Sequence, residues 1–154
     1  MRLTRYTDYS LRVLIYLGLQ QDRLSSIREI ADVYGISESH LMKVVQALGQ
    51  FGYVATLRGR GGGLKLAKPP SEINLGDVVR DTEDDVALVE CFSEHSECRI
   101  AGPCRLEHVL RRALRAFFEV LDDYTLADLL RPKFNALKAS LGLTSASQSA
   151  ASKR

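Results

Sequence analysis

Nowhere is this chain apolar for the roughly 20 residues that a membrane-spanning helix needs, which argues against a bilayer protein. Its opening, MRLTRYTDYS, lacks the apolar core of a secretory signal, so a reducing cytoplasm is the expected compartment. Cysteine is scarce and odd in number: Cys91, Cys98 and Cys104 are all there is, and three thiols cannot pair off fully into disulfides. Two catalytic signatures are missing as well. The glycine run Gly61, Gly62, Gly63 is not followed by the Lys-Ser/Thr pair and helix of a phosphate-binding loop, and there is no Cys-His-Asp arrangement or cofactor-binding fold. An enzyme is not expected.

The three cysteines occupy one short segment, with gaps of six and five residues. A structural zinc site usually draws on a tighter pair, so that the backbone can wrap one small tetrahedral ion. Wider gaps suit a polynuclear iron-sulfur centre held along a loop, although such centres normally take four protein ligands. The spacing therefore favours an iron-sulfur cluster with a non-cysteine fourth ligand, and leaves zinc and metal-free reactive thiols open.

The formal charge of +2 is unevenly placed. Residues 1–68 carry ten Lys and Arg against five Asp and Glu, residues 69–104 carry two against nine, and residues 105–154 nine against five. A basic first segment is the footprint of a polyanion binder, since each cation near a phosphate releases condensed counterions.

Helical periodicity begins at Thr7, a possible N-cap, with Asp8 in the first turn and Leu11, Leu14 and Ile15 on one face, predicting a helix over 7–20. Ser26 caps a short amphipathic helix, IREIADVY, that Gly35 ends, and Ser37 caps ESHLMKVVQALGQF. Two helices joined at Gly35-Ile36-Ser37 predict a helix-turn-helix whose second helix enters the major groove. Glu38, Ser39, His40, Lys43 and Gln46 are then the candidate DNA contacts, with Leu41, Val44, Val45 and Leu48 inward. YVATL and LKLA flank RGRGGG as a hairpin, a wing with Arg58 and Arg60 at its tip, placed to enter a minor groove.

Lys68-Pro69-Pro70-Ser71 interrupts the chain, and a short helix follows from Leu75 to Thr82. After Cys104 a long helix carries Leu106, Leu110, Ala113, Phe117, Val120 and Tyr124 in a heptad seam, expected to pair with a second subunit, and TLADLL makes one more short helix. The expected organisation is mainly α with a small β-hairpin: a winged helix-turn-helix over 1–70, a connecting helix and cysteine loop over 71–104, a dimerisation helix and short following helix over 105–135, and a flexible tail over 136–154. A two-fold dimer would present two recognition helices to a palindrome-like operator in double-stranded DNA.

With these motifs the chain resembles the NsrR and IscR group of winged-helix regulators over about residues 1–130. The likeness rests on LTRYTDYSLRVLIYL, IREIADVYGISESHLMKVVQALGQFGYV, RGRGGGLKLAKPPSEINLGDVVR, the three cysteines and LDDYTLADLL. Within the group it is most similar to the nitric-oxide-sensing repressors. The resemblance implies a homodimer with one iron-sulfur cluster per subunit, [4Fe-4S] favoured over [2Fe-2S], held by Cys91, Cys98, Cys104 and by Asp8 of the partner subunit. It also implies nitric oxide as effector and nitric-oxide detoxification genes as targets. Arg12, one turn after Asp8, becomes a candidate relay. In the IscR branch the fourth ligand is a histidine three residues after the last cysteine; here Glu107 stands at that place and His108 follows it, which argues against that branch. His95 is at most a substitute ligand. The alternatives of the same fold are a regulator of iron-sulfur homeostasis and a redox or thiol sensor.

Overall fold

Among the described residues seven α-helices and one hairpin follow in the order α1 (Arg5–Leu19), α2 (Ile27–Tyr34), α3 (Glu38–Gln50), β1 (Val54–Leu57), β2 (Gly63–Leu66), α4 (Leu75–Thr82), α5 (Arg105–Asp122), α6 (Leu126–Leu130) and α7 (Phe134–Ser140). The structure, a computed structural model, describes residues 2–92, 97–100 and 103–143. The expected mainly helical winged helix-turn-helix is what forms.

Local capping chemistry sets the first helices. Ser26 and Glu29 form a reciprocal capping box at α2, and Gly35 closes it at φ 63°, a left-handed conformation that glycine adopts without strain. Ser37 Oγ accepts from the His40 N–H and starts α3. For α1 the expectation is corrected: Thr4, not Thr7, is the N-cap, and the helix begins at Arg5. Thr7 is fully buried and donates its hydroxyl to the Thr82 carbonyl at 3.1 Å, so its polar group serves a tertiary contact.

α1 is the hub of the molecule. It packs against α3, α4, α6, β2 and α7, and Val13, Leu14, Tyr16, Leu17 and Leu19 are all at most 2% exposed. The predicted face of Leu11, Leu14 and Ile15 is therefore too narrow: Leu11 and Ile15 are half-buried, and the central contacts come from Val13, Leu14 and Leu17. Each such side chain contributes roughly 1.5–3 kcal/mol on burial. The same core continues past the prolines to Ile73, Val78, Leu126 and Leu130.

β1 and β2 pair antiparallel with Val54 opposite Leu66 and Leu57 opposite Gly63, and Ser25 adds a bridge to Leu64. At the tip Gly59 and Gly61 have positive φ, and a Cβ on Gly62 would collide with the Leu57 carbonyl. The turn is built for glycine.

α5 divides its apolar residues between two faces. Leu110, Leu114, Phe117 and Phe118 are half-buried, lining with Val79, Val86 and Val89 a cavity of about 380 Å³. Leu106, Val109, Val120 and Tyr124 are 50–62% exposed. The predicted seam is thus split: Leu110 and Phe117 face their own chain, and the exposed stripe runs through Leu106, Val109, Ala113, Val120 and Tyr124. α4 and α5 are clamped by Arg80, whose two Nη atoms each donate to an Asp122 carboxylate oxygen at 2.7 Å. α7 was not expected. It extends helical structure to Ser140, inside the span 136–154 expected to be flexible, and Phe134, Leu137, Leu141 and Leu143 pack on the core.

Candidate functional site

Side chains on α3 separate cleanly by face. Leu41, Val44, Val45 and Leu48 are at most 5% exposed, whereas Glu38, Ser39, His40, Lys43 and Gln46 are all exposed. Arg58 and Arg60 are exposed at the wing tip, and among the described residues neither forms an ion pair. Unpaired cations and a polar helix face directed outward can meet a polyanion without first losing internal partners. Sequence reasoning overlooked Met42, which is 59% exposed on this helix. The signal was its position, one turn from both Ser39 and Gln46.

The wing and helix pair are braced from behind. Tyr53, 3% exposed at the wing base, donates its hydroxyl to Asp81 at 2.6 Å. Glu83, just past α4, accepts from the Thr4 N–H at 2.7 Å and from the Thr4 hydroxyl at 3.1 Å, so the start of α1 is tied to the segment that leads to the cysteines.

Cys91 sits in a 3-10 turn over Glu90–Phe92, Cys98 follows in the loop, and Cys104 is the N-cap residue of α5. All three are half-buried and none is in a disulfide. Arg111 on α5 holds the first turn: its Nη2 donates to the Cys91 carbonyl at 3.4 Å, its guanidinium lies 4.5 Å from the Phe92 ring centre, and its Nε donates to Glu107 at 2.9 Å. The Glu97 N–H donates to Glu90 at 3.0 Å across the loop. Desolvation raises the Cys91 thiol pKa, and Glu107, Cys98 and Cys104 nearby push it further in the same direction. Yet among the described residues no three His, Cys, Asp or Glu side chains stand close enough to hold one metal ion. His95 lies outside the described residues.

Among the described residues Asp8 forms no metal-holding group with the cysteines of its own chain. It faces a surface groove of about 350 Å³ shared with Arg2, Leu3, Thr4, Arg5 and Leu11. Both of its oxygens are taken by Arg12, at 3.2 Å to Nε and 2.8 Å to Nη2. Arg12 also lies 5.8 Å from the Tyr34 ring centre on α2, and so links the acid to the helix-turn-helix.

Residues 3–132 match the Rrf2 family, described as iron-dependent transcriptional regulators. The chain belongs to the Rrf2 family. This Rrf2 regulator is 54% identical over 140 residues to the HTH-type transcriptional regulator NsrR of Bacillus subtilis, a match spanning 90% of this chain and 96% of that protein. It is 53% identical to NsrR of Geobacillus kaustophilus, over 86% of this chain and 92% of that one. Among solved structures it is similar to CymR, the global cysteine regulator of B. subtilis (TM-score 0.69, 28% identity, 84% of this chain and 95% of that chain). T. potens IscR is also similar (TM-score 0.71, 26% identity, 88% and 90%). This Rrf2 protein is therefore an NsrR-like transcriptional regulator with a winged-helix head. Among the described residues, no helix is long and apolar enough to cross a membrane.

Proposed function

We propose that this chain is a homodimeric, iron-sulfur-dependent repressor that senses nitric oxide and releases nitric-oxide detoxification genes from repression. The observation that carries the reading is the loop of three unbridged cysteines in a chain 54% identical to NsrR. The donor chemistry fits the group: soft thiols spread along one loop, within electrostatic reach of each other but not closed around one point, suit a cofactor wider than a single ion. Cys91, Cys98 and Cys104 would hold a cluster, [4Fe-4S] in preference to [2Fe-2S], with Asp8 of the partner subunit as the fourth ligand. When bound, the cluster supplies iron sites that react with nitric oxide.

The chain's own residues supply the readout. Asp8 has two alternative engagements, the Arg12 guanidinium of its own helix or the cysteine loop of the partner, and the choice biases the position of α1. Because α1 packs on α3 and on α6, a shift of α1 changes how the two heads are presented to a palindrome-like operator. A coupling of about 1–3 kcal/mol is enough to change occupancy between 5-fold and 150-fold. Glu38, Ser39, His40, Lys43 and Gln46 contact the major groove, and Arg58 and Arg60 the minor groove. Dimerisation uses the exposed stripe of α5.

A thiol-sensing regulator of the same fold is the second reading, favoured by the three free, half-buried cysteines. Anaerobic purification followed by visible spectroscopy and nitric-oxide titration of operator binding separates the two. The proposal expects a coloured, iron-containing protein that loses DNA affinity with nitric oxide. A colourless protein whose affinity follows thiol oxidation, and not nitric oxide, overturns it.

A further inference from the structure

Met42 is the one large apolar side chain that α3 leaves in solvent, at 59% exposure, while Leu41, Val44, Val45 and Leu48 are buried. Single exposed apolar residues are ordinary on protein surfaces, so exposure alone decides nothing. Placement does. Ser39 lies three residues before Met42 and Gln46 four residues after it, so all three share one strip of the helix surface, with Lys43 beside them. That strip is the one a helix-turn-helix turns toward the major groove. Among base-edge groups displayed there, the thymine 5-methyl is the apolar one.

We infer that Met42 is a specificity-determining residue that reads thymine 5-methyl groups in each operator half-site. The inference rests on the proposed docking of α3 in the major groove and adds to it the source of sequence discrimination. Whatever groove Lys43, Arg58 and Arg60 enter, the attraction of their charges to the phosphates carries no sequence information and falls with salt. An unbranched, polarizable thioether against a methyl does the reverse: it depends on the base and is insensitive to salt. Its flexibility lets it meet methyls at more than one position.

The test uses a duplex recovered by this protein from a random library, in which each thymine is replaced singly by deoxyuridine to remove the methyl and nothing else. At one or two positions per half-site the replacement weakens wild-type binding about four-fold, the worth of taking one methyl-sized group out of water. Met42→Ala binds the thymine and uracil duplexes equally while keeping the wild-type salt slope, and Met42→Leu retains part of the preference. Equal uracil costs in wild type and Met42→Ala, with a salt slope that Lys43→Ala reduces, overturn the Met42 assignment alone. A Lys43→Ala slope unchanged from wild type removes α3 from the DNA and overturns the docking together with the inference.

Discussion

The hydroxyl of Tyr53 donates to the carboxylate of Asp81 at 2.6 Å, joining the base of the wing to the last turn of α4. Lys68 covers the same ring at 4.6 Å from its centre, and the Tyr53 backbone is bonded on one side to Leu48 and on the other to Ala67. The ring is therefore fixed from α3, from the wing and from α4 at once. Tyr53→Phe keeps the packing and the cation contact and removes only the hydroxyl bond. It is expected to lower stability by about 1 kcal/mol, read from urea unfolding midpoints. An unchanged midpoint would show that the bond braces nothing.

Alkaline pH acts on the same residue. Burial, then the hydrogen bond and charge of Asp81, push the Tyr53 phenol up from 10.0, and burial raises Tyr34 to about 12. A folded-state pKa above the unfolded one gives stability that is complete below the unfolded value and lost as pH rises toward the folded value. Stability is thus expected to hold up to about pH 10 and to fall from there toward pH 12. The double variant Tyr34→Phe/Tyr53→Phe should show a shallower fall over that window in unfolding followed by circular dichroism.

A Cβ on Gly76 would overlap the Asp122 carboxylate and press on Arg80, the pair that clamps α4 to α5. Gly76→Ala is expected to cost about 1–3 kcal/mol through this overpacking. The clash has a single main source, so in an Asp122→Ala background the cost should vanish or change sign, since Ala is the better helix former by about 1 kcal/mol. Denaturation of the four proteins of this cycle checks the sign.

Val109 and Val120 are 56% and 58% exposed on α5, so placing charge there leaves the subunit's own core intact. Val109→Asp/Val120→Asp should give a folded monomer by light scattering, with operator affinity reduced at least ten-fold because one head binds in place of two. A variant that remains dimeric would remove the α5 stripe from the interface.

Elements governed by near neighbours were legible in the sequence alone. Ser26 with Glu29, Ser37, Gly35 and the glycine-rich wing tip each act through backbone groups a few residues away, so the helix-turn-helix, the hairpin and the limits of α4 followed directly. α1 was misjudged because its surroundings come from far along the chain: Thr7 meets Thr82, and Leu126 and Leu130 of α6 join the core around it. A helix covered on most sides has no single apolar face for periodicity to find. The heptad on α5 misled for a related reason, since equal spacing cannot say which apolar residues meet their own chain and which stay free. α7 was hidden by the small residues after Ala139, while Phe134 and Leu137 anchor it on the core.

For the candidate site the division falls in the same place. The sequence by itself determined the three thiols, the absence of a fourth, the acid and arginine one turn apart on α1, and the basic head, because these are matters of composition and spacing. Only the tertiary structure decided that Glu83 ties the start of α1 to the approach to the cysteines, and that Met42 stands exposed amid polar residues. Hydrogen bonds across 79 residues and solvent exposure depend on which surfaces the packed core leaves beside one another.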